Sequence, residues 1–335
     1  MDSHIDDNKL ILKKNGKSFY WAGKLLPKKD INRAAELYSF CRILDDIADS
    51  GEANSHKNLT DVKSIIKKNT FSELKNVHSI KYPKFLKESS KKVVIDLIEG
   101  LILDQKGVLF KQEEELIRYS YHVAGTVGIM MCDALKCDND LAKSFAIDLG
   151  IAMQLTNIAR DVLEDAKMGR RYLPGSWVQN ISPKEIVLAA KTNDLKKIHM
   201  ISKGIKKLLI LAEQYYLSGE KGFTFLPFNT RVAISVASGV YREIGVQLEN
   251  ENFNWQNGRQ ITSIFSKIKI TLFKTFKEIF YLRNKKKHNS ELHIYLENLM
   301  NDKKFLEVVI KKGKEKASIK AEENLKKIRE IVGFV

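Results

Sequence analysis

Two stretches of the chain place several carboxylates on segments that otherwise read as core helix. In Leu37-Tyr-Ser-Phe-Cys-Arg-Ile-Leu-Asp-Asp-Ile-Ala-Asp49, the residues Leu37, Phe40, Cys41, Leu44, Ile47 and Ala48 keep helical spacing, which predicts a helix packed into a core. At about 100° per residue, Tyr38, Arg42, Asp45 and Asp49 fall on one stripe of that helix. The stretch from Asp148 to Asp165 repeats the arrangement. Gly150, Gln154, Asn157, Asp161 and Asp165 share a stripe there, and Ile147, Ile151, Leu155, Ile158 and Val162 line another face.

Carboxylates on such helices cannot be buried unpaired, because desolvating an ion costs several kcal/mol. Something cationic must sit between the two stripes. Oxygen donors from Asp and Asn at i, i+4 spacing, with no His or Cys nearby, suit a hard cation such as Mg²⁺, with Mn²⁺ as a substitute, and such a cation takes substrate phosphates into its shell. The neighbouring Arg42, Arg160, Arg170 and Arg171 suit the same phosphate oxygens. A lone Asp-x-x-x-Asp on a helix is most often a solvated face. Two of them, each extended by polar residues on the same stripe, point instead to a cavity that holds metal and diphosphate.

The elements that must position these residues are helices. Of 335 residues, 44% are hydrophobic and 29% charged, with only 5 Pro and 18 Gly, and no strand-like alternation is separated by turn pairs, so the chain is expected to be all-α. Further helices are expected over 93–103, 111–135, 140–166, 183–190, 194–218 and 229–249. The polar segment 51–92, punctuated by His56, Asn58, Asn69, Asn76 and Pro83, is expected to be a surface excursion. Cys41, Cys132 and Cys137 have no metal-ligand spacing and suggest reduced thiols in a cytosolic compartment. No apolar run is long enough to span a bilayer. A formal net charge of +16 admits nucleic acid, an anionic membrane surface or an anionic small substrate as partner. No recognition motif accompanies the scattered lysines, so nucleic acid is not expected.

The chain resembles the phytoene and squalene synthases, which condense prenyl diphosphates head to head, and most of all the bacterial phytoene synthases. Four blocks carry the resemblance: Lys17 to Pro27 (KSFYWAGKLLP), Tyr38 to Asp49, Tyr119 to Met131 (YSYHVAGTVGIMM), and Leu149 to Pro174, which contains QLTNIARDVLED and GRRYLP. The similarity runs from about Asn15 to Thr271. It implies a single all-α isoprenoid-synthase bundle with a central cavity over 1–282; from Arg283 the composition changes, and 283–289 reads as a basic linker opening a Lys- and Glu-rich helical extension over 283–335. It also implies an Mg²⁺-dependent prenyltransferase of carotenoid biosynthesis that joins two geranylgeranyl diphosphates through prephytoene diphosphate to phytoene, with no NADPH. Residue by residue, Asp45, Asp49, Asn157, Asp161 and Asp165 match the metal positions, and Arg42, Arg160, Arg170 and Tyr172 the polar groups around the diphosphates. Tyr38, Phe19, Tyr121, Gln154 and Tyr241 match cavity-lining positions, with Tyr38, Arg42 and Tyr241 counted among the catalytic residues, while Ser18 and Arg259 match phosphate contacts. Lys267 or Lys269 stands where the family carries a late basic cluster, although Arg259-Gln-Ile-Thr-Ser-Ile-Phe-Ser-Lys267 departs from its Arg- and Lys-dense pattern.

Squalene or dehydrosqualene synthesis from the C15 substrate farnesyl diphosphate is the alternative activity. A non-enzymatic relative of the fold, such as an assembly factor, is disfavoured because all five metal positions are retained. His122 is expected to be a packed, hydrogen-bonded residue, and Gly125 and Gly128 either allow close helix approach or leave room for a prenyl chain. Phytoene is too apolar to leave into water, so a cytoplasmic enzyme working peripherally at a membrane is expected. Lys267, Lys269, Lys274, Lys277, Arg283 and Lys285 to Lys287 interleave with Ile264, Phe265, Ile268, Ile270, Leu272, Phe273, Phe276 and Phe280, in the manner of a basic amphipathic helix lying on anionic lipid.

Overall fold

Few breakers and long apolar periods give a chain of helices and, among the described residues, no β-strand. The computed structural model describes the backbone of residues 2–301 and the side chains of residues 7–282. In chain order the helices are α1 (Asp2–Asn15), α2 (Lys17–Gly23), α3 (Lys28–Asp49), α4 (Ser55–Lys68), α5 (Lys91–Asp104), α6 (Glu113–Ser120), α7 (Thr126–Ala134), α8 (Asp140–Arg160), α9 (Val162–Lys167), α10 (Pro183–Thr192), α11 (Leu195–Gly219), α12 (Phe228–Asn250) and α13 (Ile264–Asn301). The chain divides into two compact units, Met1–Thr275 and Phe276–Val335. Most of the extension expected over 283–335 lies outside the described residues, and residues 283–289, read as a linker, continue the backbone of α13. No helix among the described residues is long and apolar enough to cross a membrane.

Local chemistry sets the helix ends. The Asn139 side chain accepts from the Ala142 amide at 3.2 Å to start α8, Ser182 and Glu185 form a reciprocal capping box at α10, and Asp194 accepts from the Lys197 amide at 3.2 Å to start α11. Between α6 and α7 the chain does not break; Tyr121–Gly125 forms one π-helical turn that joins them.

The two largest apolar clusters in the core of the first unit each include one of the acid-bearing helices. Leu155 and Ile158 of α8 pack with Ile201, Ile205 and Leu208 of α11 and with Trp255. Leu37 and Leu44 of α3 pack with Leu59 and Ile66 of α4 and with Leu97 and Ile98 of α5. The segment 51–92 is therefore not only a surface excursion. Its helix α4 buries Leu59, Val62, Ile65 and Ile66, a three-to-four-residue spacing that outweighs the polar punctuation around it, and each fully buried aliphatic contributes about 2 kcal/mol. The π-turn and α8 lie unusually close: a side chain at Gly128 would collide with the Ala146 carbonyl, and one at Gly150 with that of Ala124. Close helix approach therefore accounts for Gly128.

The start of α13 reverses the amphipathic pattern read from the sequence. Lys267 and Lys274 are both 7% exposed, and Lys274 pairs with Glu220 at 2.7 Å. Ile264, Phe265, Ile268, Leu272 and Phe273 face outward, Phe265 being 79% exposed. Lys269 stays on the exposed side, while the side chains of Arg283 and Lys285 to Lys287 lie outside the described residues.

Candidate active site

Between the two clusters lies a cavity of about 750 Å³. Tyr38, Arg42, Asp45 and Asp49 reach its wall from α3; Gln154, Asn157, Arg160, Asp161 and Asp165 from α8, α9 and the residue between them; and Ser18 and Phe19 from α2. Tyr241 of α12, Arg170 and Tyr172 beyond α9, and Arg259 beyond α12 complete the set. Both polar stripes thus face one space. The exception is Tyr121, which is absent from the cavity wall. The π-turn rotates the helix, so that Val123, Ala124 and Val127 line the cavity in that region. Tyr121 instead sets its ring edge-on to His122, at 5.5 Å between centroids. His122 also lies off the cavity wall, with Nδ1 at 2.8 Å from the Asp96 carbonyl, as expected of a packed histidine.

Two of the four stripe aspartates are already neutralised. Asp161 accepts bidentate forks from both Arg160 (2.7 and 2.6 Å) and Arg259 (2.7 and 2.6 Å). Burial alone would raise its carboxyl, but the two guanidinium groups hold it below the ordinary carboxylate value. Asp49, 46% exposed, accepts from Arg170 at 2.7 Å. Arg42 turns to Asp46 at 2.5 Å, and its buried Nε has no partner.

The other two lack a cation in contact. Asp45 keeps only part of its surface toward the cavity, and burial pushes its carboxyl up to about 7, opposed by Arg42 and reinforced by Asp49. Burial and the charge of Asp161 push Asp165 up to about 8. The Asn157 side-chain oxygen is buried without a hydrogen-bond partner. Two carboxylates with no ion pair among the described residues and an orphaned amide oxygen, lining one cavity from α3 and from α8 and α9, are donor types that a hard divalent cation fits. Among the described residues no three acidic, His or Cys side chains form a preassembled cage, so substrate oxygens and waters would complete such a shell.

Next to the charged groups the wall is aromatic, and aliphatic residues continue it. Phe19 stacks on Tyr241 (4.7 Å, 26°) and tilts against Tyr38 (6.3 Å, 57°). Burial raises the phenols of Tyr38, to about 12, and of Tyr241, so both stay protonated at neutral pH. Met153, Leu101, Val127 and Phe223 continue the surface, as do the free thiols Cys41, Cys132 and Cys137.

The cavity also holds polar residues that the stripe pattern did not single out. Lys14, Lys17, Asp104 and Tyr119 also line the wall. Lys267 has no ion-pair partner among the described residues; burial and the nearby charge of Lys17 hold its ammonium below the usual lysine range. Asp104 closes the apolar run of α5 and is 7% exposed. The argument applied to Asp45, a carboxylate on a core helix, would have found it.

A helical bundle whose two acid-bearing helices face a deep apolar cavity has the architecture of the helical isoprenoid synthases. A solved dehydrosqualene synthase shares the fold at a TM-score of 0.67 and 25% identity, over 84% of this chain and 96% of that one. A squalene synthase from Alicyclobacillus acidocaldarius does so at 0.62 and 17%, over 75% and 94%. Residues 12–266 match the squalene/phytoene synthase family model, and the chain belongs to that family. It is 32% identical over 269 residues to the 15-cis-phytoene synthase of Pantoea ananas, covering 76% of this chain and 86% of that protein. It is 31% identical to the 15-cis-phytoene synthase of Paracoccus sp., covering 75% and 84%.

Proposed function

We propose that this protein is a phytoene synthase, a prenyltransferase that joins two geranylgeranyl diphosphates head to head through a cyclopropylcarbinyl diphosphate to phytoene. The observation that carries the reading is the convergence of five acid and amide positions and four arginines at one end of a single cavity whose remainder is apolar and aromatic. Asp45, Asp165 and Asn157, with Asp49 and Asp161 beside them, would hold Mg²⁺, which when bound supplies Lewis-acid neutralisation of the departing diphosphate. Arg170, Arg160 and Arg259 present planar forks at the same end, the geometry that binds phosphate oxygens in pairs. Lys17 lines the cavity and Lys267 lies near it, off the wall, so that Lys17 would take phosphate oxygens of a second diphosphate with the charge of Lys267 behind it. The faces of Phe19, Tyr38 and Tyr241 stabilise allylic and cyclopropylcarbinyl cations, and the apolar wall keeps water from quenching them. No protein nucleophile is needed.

The reading extends to the membrane. Ile261, 70% exposed, belongs to the cavity wall. The outward Ile264, Phe265, Ile268, Leu272 and Phe273 continue from it as an apolar surface that a bilayer would cover. Incubation of the purified protein with Mg²⁺ and either C20 or C15 diphosphate, followed by identification of the hydrocarbon, tests the reaction. Phytoene from the C20 substrate is expected. A C30 hydrocarbon as the only product would reassign the enzyme to the farnesyl branch of the family, and no hydrocarbon from either substrate would refute the proposal.

A further inference from the structure

Asp104 is a buried carboxylate at the cavity that belongs to neither stripe. It ends α5, is 7% exposed, and takes part in no ion pair among the described residues. Both of its oxygens are used. Oδ2 accepts from the Tyr119 hydroxyl at 2.6 Å and Oδ1 from the Tyr172 hydroxyl at 2.7 Å, and the two phenol rings stack at 5.0 Å and 21°. Two phenols from two further elements, α6 and the loop after α9, thus converge on the acid that ends α5.

What this arrangement holds is the loop. Tyr172 follows Arg171, which is 5% exposed and held by three hydrogen bonds: its amide donates to the Val108 carbonyl at 2.7 Å, Nη2 to the Phe110 carbonyl at 2.8 Å and Nη1 to the Ile181 carbonyl at 3.1 Å. Arg170, the residue before it, is the one that reaches across the cavity end to Asp49, at 2.7 Å. Its guanidinium is therefore delivered by a backbone clamped immediately behind it, and Asp104 is the anchor of the clamp at the Tyr172 end. A carboxylate suits the task, because each oxygen can accept from one phenol. An amide in its place accepts on one side only and presents a donor on the other, so one hydroxyl loses its acceptor.

We propose that Asp104 is a positioning residue that acts through Tyr172 to fix Arg170 for diphosphate binding. The inference rests on the reading of this end of the cavity as a diphosphate site. Asp104 acts through Tyr172 and not on the reacting atoms, so its effect belongs in binding: Asp104→Asn and Tyr172→Phe raise KM for the prenyl diphosphate and weaken calorimetric binding of inorganic pyrophosphate with Mg²⁺, each about tenfold, and in Asp104→Asn kcat changes less than about threefold. Arg170→Gln weakens pyrophosphate at least as much. The double variant D104N/R170Q binds no more weakly than R170Q alone, because the anchor has nothing left to position.

Tyr172→Phe removes a single hydroxyl and keeps the ring stack, so it carries the test even where Asp104→Asn unfolds. Pyrophosphate affinity and KM unchanged in Tyr172→Phe would overturn the proposal. So would additive losses in the double variant, or a loss confined to kcat with binding intact, which would make Asp104 a participant in the chemistry. Wild-type protein that neither binds Mg²⁺ with pyrophosphate nor consumes prenyl diphosphate would instead remove the underlying reading, and this inference with it.

Discussion

Replacing Asp45 by Asn should stabilise the metal-free protein while nearly abolishing turnover. Burial raises the Asp45 carboxyl from its ordinary 3.8 to about 7, so between those values the folded state binds a proton that the unfolded state has released. Folding stability contributed by this group therefore falls as pH rises through that window, and the deficit is complete above about 7. At 1.36 kcal/mol per pH unit the deficit is on the order of 4 kcal/mol. Asn has the same shape and no charge to desolvate. In EDTA at pH 8, Asp45→Asn should thus unfold several degrees above wild type, roughly 5 °C for a chain of this size, and the two should converge at pH 4. Turnover at pH 8 with Mg²⁺ should fall on the order of a thousandfold, about 4 kcal/mol of barrier. Scanning calorimetry in EDTA at both pH values and product assay at saturating Mg²⁺ make the comparison. Equal melting temperatures at pH 8, or near-normal turnover, would refute the assignment of Asp45 as an acid whose charge is useful only with a cation beside it.

Product should form at full rate from prenyl diphosphate and Mg²⁺ alone; a reaction that halts at the cyclopropylcarbinyl diphosphate until NADPH is added would place the enzyme with the squalene-forming members. Gly150→Ala should lower stability by about 1–3 kcal/mol in urea unfolding, because its methyl group meets the Ala124 carbonyl; an unchanged midpoint would mean that the π-turn and α8 can separate freely. Vesicle co-sedimentation should show binding to anionic bilayers that weakens with salt but persists in part, since the apolar residues of α13 face outward and Lys267 and Lys274 do not. Phe265→Ser/Phe273→Ser should reduce that binding several-fold with activity on detergent-dispersed substrate intact, and unchanged binding would move the docking surface elsewhere.

The parts of the site that were legible in the sequence are those set by helical periodicity. The stripes on α3 and on α8 and α9 needed only the 3.6-residue repeat and the cost of burying charge. What crosses between elements was not legible: Arg170 meets Asp49 across 121 residues and Arg259 meets Asp161 across 98, pairings that no local pattern encodes. Tyr121 was assigned to the cavity by the resemblance alone, and it begins the π-turn at which Val123 and Ala124 line the cavity and Tyr121 does not. The α4 error had a different origin, since Leu59, Val62, Ile65 and Ile66 carried a readable spacing that the surrounding Asn and His residues obscured. Lys267 and Lys274 were read as solvent-facing because lysine usually is. Here Lys274 finds Glu220, and Lys267 sits near Lys17.

On the proposed assignment, the division among the stripe aspartates would let one end of the cavity be stable before substrate arrives and still bind both a cation and a polyanion. Arg170, Arg160 and Arg259 neutralise Asp49 and Asp161, while Asp45 and Asp165 reduce their cost by holding protons near neutrality. A diphosphate competes for those same guanidinium forks, and each fork it captures leaves an aspartate oxygen without its cation. The acids so released raise the affinity of that end for a divalent ion. By thermodynamic reciprocity, an ion bound to the acids frees arginines for the diphosphate by the same factor. The ion pairs of the resting site are thus the coupling between its two ligands. A sequence of acids alone, or of arginines alone, would hold one ligand and repel the other.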